Sequence, residues 1–92
     1  MLTLDVRLHI PDHILFTPTT SEYVILLNTR LRQYYELDEI GVRLWNMLNE
    51  DRSLREIHQA LSDEYEVPPQ QLEQDLLELI GEMLKNGLVE IV

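Results

Sequence analysis

The stretch RQYYELDEIGVRLWNML, Arg32–Leu48, changes from the period of a strand to the period of a helix without an intervening loop. Up to Leu37 its apolar and polar side chains alternate, the period-two pattern of a half-buried strand. Asp38 is a good N-cap for a helix that runs to about Asn49. An apolar stripe of helical spacing follows the cap: Ile40, Leu44, Trp45 and Leu48. The stretch therefore predicts an aromatic strand joined directly to an amphipathic helix.

The residues before this stretch predict the rest of a small antiparallel meander. Residues 2–10 alternate strictly between apolar and polar side chains until Pro11 ends the pattern. Residues 14–17 are a short second candidate, and the apolar run Tyr23–Asn28 suits an interior strand. Residues 28–30 then predict a tight connection into a strand over Leu31–Leu37.

Two further helices follow the first. SLRE at 53–56 is a capping box, and VPPQQ at 67–71 places proline in the first turn of a helix that Asn86 and Gly87 end. We expect one domain over residues 1–92, with strands within about 2–37 and helices at about 38–49, 54–65 and 69–86. LVEIV, residues 88–92, is a candidate for a final short strand. The predicted fold is α+β and winged-helix-turn-helix-like, with an amino-terminal antiparallel β-meander followed by three α-helices.

Composition argues against several classes of protein. A chain of 92 residues forms one small domain with little core to spare for an enclosed active site, so an elaborate enzyme is not expected. It contains no cysteine, no basic segment followed by a long apolar run, and no stretch of about 18 apolar residues. We therefore expect a cytoplasmic protein that does not bind membranes.

The negative charge is concentrated in the second half of the chain. Of the net charge of −10, residues 50–92 carry eleven acidic and three basic side chains, and residues 1–49 carry six and four. The third predicted helix has four carboxylates against Lys85 alone. A helix of this sign gains nothing from counterion release, so nucleic-acid binding is not expected despite the winged-helix-like order of elements.

Three segments together resemble the PqqD-like family, the recognition elements for precursors of ribosomally made, modified peptides. They are YYELDEIGVRLWNML at 34–48, SLREIHQALSDEYEV at 53–67 and DLLELIGEMLKNGLVEI at 75–91. The shared marks are a tyrosine-bearing strand ending at Leu37, a helix segment 41–45, Asp75 before an apolar run, and a closing Gly87-Leu88 pair. The resemblance spans roughly residues 12–92 and is similar in form to the stand-alone recognition proteins of lasso-peptide pathways.

The resemblance implies a binding protein without catalytic residues or cofactors. Members of the family bind the leader of a precursor peptide as an added strand, between the last meander strand and the third helix. The implied partners are that leader and the pathway's leader peptidase and cyclase. Strand addition requires an unpaired sheet edge and side-chain pockets at alternate positions.

The alternation of the last predicted strand separates its two faces. Leu31, Gln33, Tyr35 and Leu37 share one face, which we assign to the helices because it is mostly apolar; Arg30, Arg32, Tyr34 and Glu36 share the other. The predicted peptide contacts on this strand are Leu31, Arg32, Gln33, Tyr34 and Tyr35. The alternative, that both tyrosines only fill or cover the core, stays open.

The third helix has more apolar side chains than one core-facing stripe needs. Leu76, Ile80, Leu84 and Leu77 can serve the core, which leaves Leu72, Leu79 and Met83 as a second, exposed stripe. The predicted peptide contacts on this helix are Leu72, Asp75, Leu76, Leu79 and Met83, so that Leu76 belongs to both sets. The alternatives are a helix packed on both sides and a solvated Asp75.

Other kinds of site have weaker support. His9, His13 and His58 lack the spacing of metal ligands, and no nucleophile elbow or phosphate-binding loop occurs. The competing class is an acidic winged-helix-like adaptor that binds another protein, or a regulator that mimics DNA with its carboxylates. A small hydrolase is a third class, for which the sequence offers no candidate residues.

Overall fold

The computed structural model describes residues 2–18 and 24–92, which contain five strands and three helices. In chain order these are β1 (Leu8–His9), β2 (Ile14–Pro18), β3 (Val24–Asn28), β4 (Gln33–Leu37), α1 (Glu39–Asn49), α2 (Leu54–Glu64), α3 (Pro69–Lys85) and β5 (Glu90–Ile91). Strands β2, β3 and β4 form an antiparallel meander in that order, whereas β1 pairs with β5. The predicted α+β order of a meander followed by three helices is confirmed, as is the short final strand.

The predicted amino-terminal strand is wrong in extent, because only Leu8 and His9 pair with another strand. The chain turns near residues 3–6, where the Val6 N–H donates to the Thr3 carbonyl. Burial nevertheless alternates along residues 2–10 as the pattern requires, with Leu4 buried and its neighbours exposed. Alternating burial needs only a chain that lies on the core, whereas a strand also needs a partner along its length, and here the chain turns near residues 3–6 and β5 is only two residues long.

The predicted fourth strand begins two residues late, at Gln33 rather than Leu31. Leu31 and Arg32 belong to the turn of residues 29–32, and Arg32 has a φ of 54°, which lies outside the extended range of a strand. In the hairpin Asn28 pairs with Gln33 and Val24 with Leu37. The predicted start of the third strand, Tyr23, lies outside the described residues.

The helix boundaries agree with the predicted ones to within one residue because the predicted end signals form. The Asp38 carboxylate accepts from the Gly41 N–H at 2.9 Å, and Ser53 and Glu56 complete a capping box. Hydrogen bonds with Ser53 hold the pKa of Glu56 below its ordinary value. The bond from the Ser53 backbone N–H has the larger effect, and the bond with its hydroxyl has the smaller one. Gly87, at a φ of 71°, ends α3 in the left-handed conformation that favours glycine.

One hydrophobic core lies between the meander and the helices. Its most buried side chains come from β3, β4, the three helices and the segment after α3, and they are Trp45, Leu26, Leu37, Leu44, Ile57, Leu61, Leu72, Leu76, Ile80, Met83, Leu88 and Val89. At the joint between β4 and α1 a Cβ on Gly41 would lie 3.1 Å from Leu37 Cδ2, so the strand end and the first helical turn are in close contact. No helix in residues 2–18 and 24–92 is long and apolar enough to cross a membrane.

Candidate binding groove

Strand β4 is an edge of the meander. It pairs with β3 on one side, and no strand within the described ranges pairs with its other side. In an edge strand, alternate residues direct their backbone N–H and C=O groups away from the sheet, where a further strand can pair with them. Residues 33–37 contain no proline, so nothing interrupts this row of donors and acceptors.

An open groove of about 370 Å³ lies between this strand and α3. Its lining combines four apolar side chains with three carboxylates: Tyr35, Leu37, Ile40, Leu79, Glu36, Asp38 and Asp75. Leu37 is buried, while Tyr35, Ile40 and Leu79 are half-buried. The three carboxylate residues are exposed. The groove therefore has an apolar floor and an acidic rim, and it is continuous with the β4 edge.

The predicted faces of β4 agree with the structure at Tyr34, Tyr35 and Leu37. Leu37 and Tyr35 lie on the helix side, and Tyr35 lines the groove. Tyr34 lies on the opposite face of the sheet and is 75% exposed. Gln33 is exposed at the start of the strand, whereas Leu31 and Arg32 lie in the preceding turn. Of the five predicted contacts on this strand, the structure thus brings only Tyr35 into the groove lining.

The predicted division of α3 into a core stripe and an exposed stripe is wrong. Leu72 and Met83 are core residues, 1% and 0% exposed, and Leu76 is also buried. Leu84 and Leu77, which the sequence assigns to the core, are only half-buried. Helical periodicity alone does not show which of the two stripes faces the core. The packing of α2 on α3 decides which stripe is buried. Leu72, Leu76 and Met83 therefore expose almost no surface that a peptide could contact.

Leu79 and Asp75 are the two predicted α3 residues that the structure places in the groove. The groove also includes residues that the sequence analysis did not assign to it, chiefly Ile40, Glu36 and Asp38. Ile40 belongs to the apolar stripe of α1, but it lies in the first turn, close to the end of β4, and stays half-buried. Its position two residues after the N-cap is the signal that could have identified it.

Carboxylates dominate the electrostatics of this surface. Beside the groove, a shallow depression on α3 is lined by Asp75, Glu78, Leu79, Gly81 and Glu82. Neither lining, as far as the structure describes the chain, includes an arginine or a lysine. This arrangement attracts a basic segment and repels phosphate. No cluster of three or more His, Asp or Glu side chains with metal-binding geometry occurs in the described residues.

Comparisons with known proteins show which proteins this chain is similar to. The family model described as coenzyme PQQ synthesis protein D (PqqD) matches residues 14–89. The structure of TbiB1 in complex with the TbiA(beta) leader peptide matches with a TM-score of 0.81 and 30% identity, over 88% of this chain and 93% of that one. A lasso peptide synthetase B1 complexed with the leader peptide matches with a TM-score of 0.81 and 24% identity, over 91% and 98%. No curated protein matches the sequence.

Proposed function

This chain belongs to the PqqD family, and on that premise we propose that it binds the leader of a ribosomally made precursor peptide in a lasso-peptide pathway. The observation that carries the proposal is the outer edge of β4, which no strand of the described residues pairs with, beside an apolar groove against α3. The 30% identical match to TbiB1, whose structure holds a leader peptide, supports the same ligand class.

The leader adds to β4 as a further antiparallel or parallel strand. Its backbone pairs with the edge, and alternate side chains point toward the helices, where an apolar one fills the space between Tyr35 and Leu79. The intervening side chains lie on the outer face, beside Tyr34. Because α1 begins directly after β4, the edge is already fixed before the peptide arrives, and the main entropic cost is that of ordering the leader.

Titration with the cognate leader tests the proposal. This leader is a synthetic peptide with the amino-terminal sequence of the precursor encoded beside the gene for this chain, and a shuffled peptide of the same composition is the control. We expect micromolar to tens-of-nanomolar affinity, about −8 to −10 kcal/mol, for the leader and none for the shuffled peptide. Amide exchange should slow on Gln33–Leu37 and on α3. Protection on α2 or β1 instead would favour the acidic adaptor.

We also propose that the chain carries out no chemistry and delivers the leader to a separate leader peptidase and cyclase. Incubated alone with precursor, with or without metal or nucleotide, it should produce no mass change detectable by mass spectrometry. Added to the two processing enzymes, it should raise their turnover of precursor at substrate concentrations below KM, because it raises the local substrate concentration. A product formed by this chain alone would contradict the proposal.

Salt should weaken binding of any leader that carries a lysine or arginine. The acidic rim attracts such a residue, and the attraction between exposed charges falls as ionic strength rises from about 0.05 to 0.5 M. Asp75→Asn should raise the Kd by about two- to fivefold at low salt, as expected for an exposed charge pair, and should reduce the salt dependence. Asp63→Asn, an exposed change on α2, should do neither. Equal salt dependence of the Kd in wild type and Asp75→Asn would show that Asp75 is not part of the binding site.

The remaining parts of the proposal concern location and extent. Residues 1–92 act as one recognition domain, supported by the single core that includes side chains from Leu4 to Val89. The proposed location is the cytoplasm, where ribosomes make the precursor.

A further inference from the structure

Asn28, at the end of β3, is the one buried polar side chain among the described residues and is 2% exposed. Its Nδ2 donates to the Asn86 carbonyl at 3.3 Å. Its Oδ1 accepts from the backbone N–H groups of Arg30 and Leu31, both at 3.1 Å. A buried amide is costly unless it is paired, and here both ends of the amide are paired. We call these three hydrogen bonds the Asn28 bridge.

The Asn28 bridge joins the two walls of the groove. Arg30 and Leu31 belong to the turn that leads into β4, and Asn86 is the C-cap of α3. The opposite end of β4 is fixed to α1 by the Asp38 cap and by the contact of Leu37 with Gly41. The strand is therefore held at both ends, at one by α1 and at the other by the end of α3.

The bridge is also tightly enclosed. A Cβ on Gly87 would lie 3.2 Å from Asn28 Nδ2, so the backbone after α3 passes directly beside the amide. To accept from the turn and donate to the helix end, a side chain needs a donor and an acceptor spaced as they are in a primary amide. Aspartate has the same shape but, when ionised, no donor for the Asn86 carbonyl.

We propose that Asn28 is a positioning residue for leader binding: through its bridge it holds the β4 edge at the distance from α3 that the leader requires. The inference rests on the proposed function, because the groove is the site that it shapes. Asn28 itself is not among the residues that line the groove. Its effect on binding is exerted through the positions of β4 and α3.

The test is Asn28→Asp, which keeps the acceptor for the turn and removes the donor to α3. We expect the Kd for the cognate leader to rise at least fivefold at a temperature well below the Tm of the variant. Two controls separate this effect from the loss of another hydrogen bond in the turn and from a general loss of stability. Thr29→Val removes a different side-chain hydrogen bond of the same turn, to the His13 carbonyl, and Ile57→Val lowers stability from within α2. Both should keep the wild-type Kd.

The outcomes are distinct for the two proposals. Absence of leader binding by the wild type refutes the proposed function. Wild-type binding with an unchanged Kd in folded Asn28→Asp, or an equal rise in Ile57→Val, refutes the positioning role alone. Should Asn28→Asp fail to fold, Gly87→Ala perturbs the bridge from the α3 side, and the same fivefold rise is expected. An unchanged Kd in folded Gly87→Ala then counts against the inference.

Discussion

Replacing Leu79 with glutamate is expected to raise the Kd for the cognate leader at least tenfold, about 1.4 kcal/mol, while the domain stays folded. Leu79 is half-buried in the groove and contributes to its apolar floor. A carboxylate there faces the apolar side chain of the guest and loses hydration without gaining a partner. Because Leu79 packs against the core only with part of its side chain, the free energy of unfolding should fall less than it does for a change at a fully buried leucine such as Leu72.

Two controls separate the loss of the apolar contact at residue 79 from the effect of the added negative charge. Leu79→Gln removes the apolar surface without adding a carboxylate and should also weaken binding, though less. Asn46→Asp adds the same charge on an exposed position of α1 outside the groove lining and should leave the Kd unchanged. Affinities are measured by fluorescence anisotropy and folding by circular dichroism. Wild-type affinity in folded Leu79→Glu would show that the leader binds elsewhere.

Truncating Leu72 should have the largest effect on stability. Leu72 is 1% exposed in the core, so Leu72→Ala should lower the free energy of unfolding by about 2–5 kcal/mol through lost burial and the cavity left behind. That is a large fraction of the roughly 5–15 kcal/mol that stabilises a domain. Leu72→Glu, which an exposed stripe would tolerate, should unfold the domain because it places a charge in the core.

Urea unfolding measures this loss. The matched control is Leu77→Ala on the same helix, where a half-buried leucine is removed and a smaller loss is expected. A folded Leu72→Ala variant should bind the leader with nearly the wild-type Kd, since residue 72 lies outside the groove lining. A stable Leu72→Ala variant with impaired binding would instead indicate that Leu72 lies on an exposed stripe, as the sequence predicts.

Prediction from sequence was accurate for the helix ends and for the faces of β4, where the signal is local. The Asp38 cap, the Ser53 capping box and the Gly87 helix end each depend on a few adjacent residues, and all three form where predicted. The faces of β4 also follow from alternation within one strand, and they place Tyr35 toward the helices. Signals of this kind act through backbone hydrogen bonds and sterics, which need no distant partner.

Prediction failed at two features that a distant partner decides. Residues 2–10 alternate like a strand, yet only Leu8 and His9 find a partner, because β5 is that short. The groove residues also depend on distant partners. On an isolated α3, Leu79 and Leu72 are equivalent, and the sequence of α1 does not distinguish Ile40 from the other residues of its apolar stripe.

The sequence by itself determined the order of elements, the helix ends and the acidic character of the second half, since each follows from neighbouring residues or from composition. Only the tertiary structure decided which α3 side chains are buried, where β4 begins, and that Asn28 links the hairpin to the end of α3. Those features depend on how separate elements pack, because burial and long-range hydrogen bonds belong to pairs of surfaces and not to single segments.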